Sequence, residues 1–160
     1  MTPFIEMLPK ILKWSEIASL VVTLAAIVLK VGDLEGANQI LMVGLFSLAV
    51  TYFLSAYTNV EFSGSPEKQR GFADLLMTIV RKVMYIGLSV FCVALTFSFL
   101  HLAGANQQMM VGVIAVGGGS AISMFLILAN RDRMAILQAP LYRCVVALAI
   151  FFLLPYLTLS

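Results

Sequence analysis

The chain has 160 residues, of which 61% are hydrophobic and 11% charged, with a mean hydropathy of +1.01 and a formal net charge of +2. Soluble domains carry about a quarter charged residues, so the composition excludes an ordinary soluble domain and predicts an all-α integral membrane protein. The small net charge argues against a nucleic-acid partner, and the two cysteines, Cys92 and Cys144, lie in apolar segments without metal-ligand spacing.

The first apolar segment predicts a membrane span over Ser15–Val31. A bilayer core takes about 20 helical residues, and the wholly apolar part, Ile17–Leu29, is shorter than that. The span is long enough if the amine of Lys30 extends to the interface. Before it, apolar residues at helical spacing with Lys10 and Lys13 predict a short interfacial helix. A secretory signal peptide is the alternative, although no small-x-small cleavage site follows.

Three spans are predicted in the middle of the chain. One falls in the uncharged stretch after Glu35. Segment 58–82 is interpreted as a cytoplasmic loop and the start of the next helix. From Val83 to Asn130 the only ionisable group is His101, and at about 1.5 Å per residue this stretch is too long for one crossing, so it must fold back. The predicted spans are Gln39–Tyr57, Val83–Leu100 and Gln107–Ala129.

The last apolar region, 140–159, predicts a fifth span over Leu141–Leu159, with Pro140 in its first turn. The prediction is therefore a single membrane domain, 1–160, with five transmembrane helices.

Loop charges indicate the orientation. The segments that hold nine of the ten lysine and arginine residues, all except Lys30, fall on one side of the predicted membrane, and the opposite turns hold Asp33 and Glu35 in one case and His101 in the other. The positive-inside rule then places the N-terminus in the cytoplasm and the C-terminus outside, in a bacterial inner membrane. Trp14 and Tyr57 lie where interfacial aromatic residues are expected. These nine residues are Lys10, Lys13, Lys68, Arg70, Arg81, Lys82, Arg131, Arg133 and Arg143.

A tandem repeat organises the chain. GANQILMVGLF begins at Gly36 and GANQQMMVGVI begins at Gly104, 68 residues later, with seven of eleven positions identical. Because each copy contains two predicted spans, 15–57 and 83–129, the two helical hairpins form a parallel repeat.

The GANQ turns have a structural interpretation and a functional one. Gly36 and Gly104 can adopt the positive φ that ends a helix, and Asn38 and Asn106 can cap the next helix. The functional alternative is that the paired polar turns, which also contain Gln39 and Gln107, form a docking surface on the outer face.

Small residues follow each turn. Such residues let helix backbones approach closely in lipid, so they are interpreted as helix-packing positions. Three consecutive glycines also allow a local kink, and a gating hinge is the alternative interpretation. The packing glycines are Gly44, Gly112, Gly117, Gly118 and Gly119.

Intramembrane ionisable residues are the default functional candidates in a membrane protein. Here the candidates for polar or ion contacts are Lys30, Asp33, Glu35 and His101. A salt bridge between Lys30 and Asp33, three residues apart, is the structural alternative. Arg143 is expected to extend to the cytoplasmic headgroups. The sequence shows no nucleophile–base arrangement, phosphate loop or metal motif, so neither an enzyme nor a cofactor is predicted.

The segments IVLKVGDLEGANQILMVGLFSLAVTYFLSA and FSFLHLAGANQQMMVGVIAV resemble the membrane hairpin of the L subunit of the gliding-motility and type IX secretion motor. Lys30 matches that family's lysine in the first copy, and His101 matches its histidine in the second. Gly36 and Gly104 match the turn glycine. The resemblance covers each hairpin and excludes the fifth helix.

The resemblance also implies a membrane glutamate that is central to proton-driven rotation, and here its positions are occupied by Leu48 and Val116. We therefore expect an accessory or structural subunit of a membrane assembly, with the lipid bilayer and either copies of itself or other membrane subunits as partners. The alternative is a small channel or transporter in which Ser47, Ser55, Ser120 and Ser123 share a water-exposed face.

Overall fold

The structure is a computed structural model that describes residues 3–32, 34–58, 72–129 and 134–158. Within these ranges the chain forms five α-helices. They are α1 (Pro3–Val31), α2 (Ala37–Tyr57), α3 (Phe72–Phe99), α4 (Ala105–Ala129) and α5 (Met134–Thr158). Helix α3 is central, because it packs against α2, α4 and α5. Helix α2 also packs along α1, and α5 lies against α3 and α4.

Four of these helices have the length and apolar character needed to cross a membrane. Their apolar parts are Met7–Val31, Ala37–Tyr57, Leu75–Phe99 and Ala105–Ala129. Large apolar side chains cover their outer faces, as on Val28, Ile114 and Phe125, which are all more than two-thirds exposed. Such a surface suits lipid, because lipid tails are as apolar as the side chains themselves. The all-α class is therefore confirmed, with four helices that are long and apolar enough to cross a membrane.

The fifth crossing is not established. The apolar part of α5 within the described side chains is Leu137–Phe152, which is shorter than the other four. The predicted start of this helix is wrong, because α5 begins at Met134 and Pro140 lies buried in its interior.

Two other predicted boundaries change. Helix α1 is one continuous helix with Pro9 inside it, so no separate interfacial helix precedes the first span. At about 1.5 Å per residue α1 is roughly 43 Å long, which exceeds a hydrocarbon layer of about 30 Å. Helix α3 begins at Phe72, well before the predicted crossing at Val83. Most of the predicted loop of segment 58–82 lies outside the described residues.

The two copies of the repeat end their first helix with the same backbone hydrogen bond. The Leu34 amide donates to the Leu29 carbonyl at 3.1 Å, and the Leu102 amide donates to the Phe97 carbonyl at 2.9 Å. Both partners are shifted by 68 residues, the offset of the sequence repeat. A hydrogen bond from an amide to the carbonyl five residues earlier is the first of the two bonds of a Schellman motif. It satisfies a free carbonyl at the end of a helix.

The glycines of the two GANQ turns adopt the same conformation. Gly36 and Gly104 both have φ of 86°, a left-handed value that a side chain would disfavour. The predicted capping role of the asparagines is wrong. Gly36 itself occupies the N-cap of α2 without a side-chain hydrogen bond, and Asn38 is the second residue of that helix. Asn106 is likewise the second residue of α4.

Glycines bring the two helices of each hairpin together at equivalent points. A Cβ on Gly44 would lie 2.6 Å from Thr23 Oγ1 and 3.0 Å from the Thr23 backbone nitrogen. A Cβ on Gly112 would lie 3.0 Å from the Cα of Phe91. The two glycines and the two residues that they face are each separated by 68 positions. The two copies of the sequence repeat therefore share this packing contact as well as the turn.

The glycine triplet of α4 divides into two groups. A Cβ on Gly119 would lie 2.7 Å from Cγ of Met84, so Gly119 is a packing position between α3 and α4. A Cβ on Gly117 or Gly118 would meet nothing within 4 Å. Among the described residues, these two glycines therefore make no close contact with another helix. Helix α4 continues without interruption through the triplet.

Substitution of Gly112 by alanine tests the equivalence of the hairpin contacts. The new Cβ would press on the backbone of Phe91, which cannot move away as a flexible side chain could. We expect Gly112→Ala to lower the free energy of unfolding by about 1–3 kcal/mol. Gly117→Ala is the matched control and should be neutral or stabilising by up to about 1 kcal/mol. Thermal unfolding in detergent measures both, and equal effects would contradict the assigned contact.

Candidate functional site

An ion pair joins the first and last helices of the bundle. The Arg143 guanidinium on α5 donates from Nη2 to Glu16 Oε2 at 2.6 Å and from Nε to Glu16 Oε1. Two parallel hydrogen bonds of this kind form the bidentate arrangement for which arginine is suited. The side chain of Glu16 is 13% exposed and that of Arg143 is 29% exposed. The carboxylate is therefore held in a largely desolvated position.

Two buried tyrosines complete this group of side chains. The Tyr52 hydroxyl on α2 donates to Glu16 Oε1 at 3.3 Å, and Arg143 Nη1 donates to the Tyr85 hydroxyl on α3 at 3.2 Å. The two tyrosine rings lie 6.4 Å apart between centroids. We call Glu16, Tyr52, Tyr85 and Arg143 the Glu16 cluster. It draws one residue from each of α1, α2, α3 and α5.

The cluster lies within the apolar part of the bundle. At about 1.5 Å per residue, Glu16, Tyr52 and Tyr85 are each about 21–23 Å from the ends of their helices at the GANQ turns. A hydrocarbon layer is about 30 Å thick, so a membrane boundary at the turns would place the cluster inside that layer. A charge at that depth is costly unless it is paired, and here each charge has its partner.

The sequence interpretation missed this pair. Arg143 was expected to extend to the headgroups, and that prediction is wrong because Arg143 binds Glu16. Glu16 directly precedes the wholly apolar part of the first span, Ile17–Leu29, and its position in the sequence indicates no further role. The partners are 127 residues apart, so no local spacing reveals them. The available signal was weaker: Glu16 and Arg143 each lie near the start of a predicted span, 15–31 or 141–159, that holds at most one other charged residue.

Lys30 has a partner that the sequence did not suggest. Its Nζ donates to the Phe99 carbonyl at 2.8 Å and lies 5.1 Å from the centroid of the Phe99 ring. Phe99 is the last residue of α3, where free carbonyls carry a partial negative charge that attracts cations. Lys30 therefore caps a helix of the other hairpin. Asp33, the expected partner, lies outside the described residues.

The remaining predicted site residues lie at the turns and do not form a site with Lys30. Glu35 and His101 are exposed, and no hydrogen bond or ion pair among the described residues joins them to Lys30. Gln39 and Gln107 are also exposed, on the first turns of α2 and α4. Across the described residues, no group of three histidine, cysteine, aspartate or glutamate side chains is placed to hold a metal ion.

His101 has a structural role in the backbone. Its φ is 53°, and it is the only residue other than glycine with a positive φ in the described part of the chain. Its amide donates to the Ser98 carbonyl at 3.1 Å, which is the second hydrogen bond of the Schellman motif. His101 thus occupies the position after the helix end where glycine is usual, a conformation in which histidine is several-fold enriched among other residues.

Comparisons with protein families, curated proteins and solved structures found no match to this chain. The assignment of a role therefore depends on the contacts described above.

Single and double substitutions test the ion pair. Removing one partner leaves a buried charge without compensation, so Glu16→Met or Arg143→Met alone should lower the free energy of unfolding by roughly 3 kcal/mol or more. The double variant should recover most of this loss, because an apolar pair of similar volume has no charge to desolvate. Chemical denaturation in detergent measures all four proteins. Additive losses in the double variant would show that the two charges do not depend on each other.

Two substitutions at His101 separate its backbone role from a role for its imidazole. His101→Gly should be neutral or slightly stabilising, because glycine adopts a positive φ without steric cost. His101→Val should lower stability by about 1–2 kcal/mol, because a branched side chain disfavours that conformation. The melting temperatures of both variants in detergent give the comparison. If His101→Gly proved as destabilising as His101→Val, the imidazole itself would be required.

Proposed function

We propose that this chain is a structural subunit of a bacterial inner-membrane assembly, built from copies of itself or together with other membrane proteins. The proposal rests on one observation: the Glu16 carboxylate, which lies within the apolar part of the bundle, is already bound by Arg143 of the same chain. A residue that moves ions or protons must exchange its partner. Glu16 instead accepts two hydrogen bonds from Arg143 and a third from Tyr52, which favours a fixed structural role.

The positions at which the resemblance implies a motor glutamate support the same proposal. Leu48 is 3% exposed and Val116 is fully buried, so both are core packing residues of α2 and α4. A proton-accepting group at either position would require a different arrangement of the bundle. An assembly of the gliding-motility and type IX secretion class remains the first context in which to look for partners, in an accessory role.

The channel alternative receives less support. It requires four serines to share a water-exposed face, but Ser123 is fully buried and donates to the sulfur of Met84 at 2.9 Å. Ser55 and Ser120 donate to carbonyls of their own helices. A groove of about 440 Å³ between α1 and α2 has mostly apolar walls, and two of its hydroxyl groups, those of Ser15 and Thr51, bond to each other.

We further propose the topology of a parallel repeat with the N-terminus in the cytoplasm, and with the C-terminus outside if α5 crosses the membrane. Turn hydrogen bonds and glycine contacts that recur at the 68-residue offset support the repeat. The basic residues at the helix ends opposite the GANQ turns support the orientation.

Helix α4 offers a surface for assembly. Within the described part of the chain, a Cβ on Gly117 or Gly118 would meet no other helix, and Gly118 is exposed. In lipid, small residues allow a second helix to approach closely and to gain van der Waals contact. A glycine in a helix costs about 0.5–1 kcal/mol relative to alanine, and no intrachain contact offsets this cost at Gly118.

Substitution of Gly118 by leucine tests the proposed assembly. The side chain would enter open space within the chain, so folding should be retained, whereas a neighbouring helix could no longer approach. We expect native mass spectrometry of gently solubilised membranes to show the wild-type chain in a larger assembly and Gly118→Leu reduced at least about fivefold in its assembled fraction, a change of about 1 kcal/mol.

Ala25→Leu provides the matched control, since Ala25 is an exposed small residue on α1. It should leave the assembled fraction unchanged. A wild-type chain that is monomeric without co-purifying subunits would contradict the structural-subunit proposal. Solute flux through liposomes containing the pure chain would favour the channel instead.

A further inference from the structure

The end of α2 and the adjacent turn of α3 hold an arginine in a fixed position. Arg81 donates from Nη1 to the Thr58 carbonyl at 3.1 Å and from Nη2 to Thr58 Oγ1 at 3.2 Å. Its guanidinium carbon lies 5.3 Å from the centroid of the Tyr85 ring. Both contacts restrain a long side chain that would otherwise be free to rotate. The guanidinium is therefore preorganised, so a ligand that binds it loses little side-chain entropy.

Two adjacent basic residues, Arg81 and Lys82, lie at this place, and neither has an acidic partner among the described side chains. The amine of Lys82 lies 5.9 Å from the centroid of the Tyr57 ring. The C-terminus of α2 supplies only about half a negative charge. Glu16, which contacts the other side of the tyrosine pair, is already bound by Arg143.

The arginine also has hydrogen-bond donors to spare. A guanidinium carries five N–H groups in a planar fork, and among the described residues Thr58 accepts from two of them and the Tyr85 hydroxyl engages a third. The free donors and the adjacent ammonium match the oxygens of a phosphate, which arginine binds in bidentate fashion.

The distance of Arg81 and Lys82 from the GANQ turns indicates that a phosphate bound by them would belong to a lipid headgroup. At about 1.5 Å per residue, Arg81 and Lys82 lie about 25–27 Å from the end of α3 at the GANQ turns, and Tyr57 lies about 30 Å along α2. The exposed Trp14 is at a similar level on α1. With the turns at one boundary of a hydrocarbon layer of about 30 Å, these residues form the interfacial belt at the other.

We propose that Arg81 and Lys82 bind the phosphate of an anionic phospholipid headgroup where α2 ends beside α3. Arg81 supplies the fork and Lys82 supplies the second positive charge. On the same helices, nearer the middle of the membrane, exposed apolar side chains offer a surface for the acyl chains. Among them are Phe53, Val83 and Ile86. A free phosphate would meet the same donors but would gain no apolar contact. Basic sites at helix ends are a known means of selecting anionic lipids.

Native mass spectrometry of the purified chain in detergent tests the proposal. Phosphatidylglycerol and phosphatidylcholine with identical acyl chains are added in equal amounts, and the bound lipids are counted. The wild-type chain should retain phosphatidylglycerol in excess. Arg81→Gln should reduce that retention about tenfold, and Arg81→Lys should have an intermediate effect, because it keeps the charge but loses the fork. Lys13→Gln is the control, since Lys13 is an exposed basic residue at a similar depth.

Equal retention of the two lipids by the wild type would overturn the proposal. An equal loss in Arg81→Gln and Lys13→Gln would also overturn it, because the binding would then reflect the general charge of the belt. Release of the lipid by millimolar inorganic phosphate would assign the site to free phosphate instead. Circular dichroism checks the folding of each variant, and Lys82→Gln replaces Arg81→Gln if the latter does not fold, with a smaller expected loss.

Discussion

A carboxylate and a guanidinium that meet in an apolar layer restrict how these helices can be arranged. Neither Glu16 nor Arg143 can face hydrocarbon alone, because moving an isolated charge out of water costs far more than a folded protein gains in net stability. Their pairing brings α1 to α5, although among the described helices α1 packs only along α2. Tyr52 and Tyr85 extend the restriction to α2 and α3.

Charged side chains connect helices elsewhere in the bundle as well. Lys30 reaches from α1 to the last carbonyl of α3, and Arg81 reaches from α3 to the end of α2. In lipid the hydrophobic effect does not favour one apolar helix contact over another, so packing shape and polar contacts must select the arrangement. A chain with 11% charged residues places several of them at helix ends and at the Glu16 cluster. The bundle thus combines close glycine contacts within hairpins with long-range polar contacts between them.

The sequence predicts the features that depend on residues close together in the chain. Span positions follow from runs of apolar residues, and the left-handed glycines follow from the repeated turn. Two local features were beyond the sequence for physical reasons. Asn38 could not cap α2, because the backbone conformation of Gly36 already starts the helix. Gly117 and Gly119 could not be distinguished, because a helix that is apolar on all sides has no periodicity to mark its inner face. The Glu16–Arg143 pair depends on tertiary packing alone.

Gly44 and Gly112 make equivalent contacts in the two copies of the hairpin, but the side chains at other equivalent positions differ. Two separate, identical hairpins would carry every substitution twice, so a glutamate at one position would be accompanied by a second in its twin. In a single polypeptide, the two copies can carry different residues at equivalent positions. At the position equivalent to Glu16, the second copy has Met84, a fully buried residue that accepts a hydrogen bond from Ser123. One copy therefore carries a charged residue at this position while the other carries an apolar one, and the described helices contain a polar centre that the second copy does not repeat.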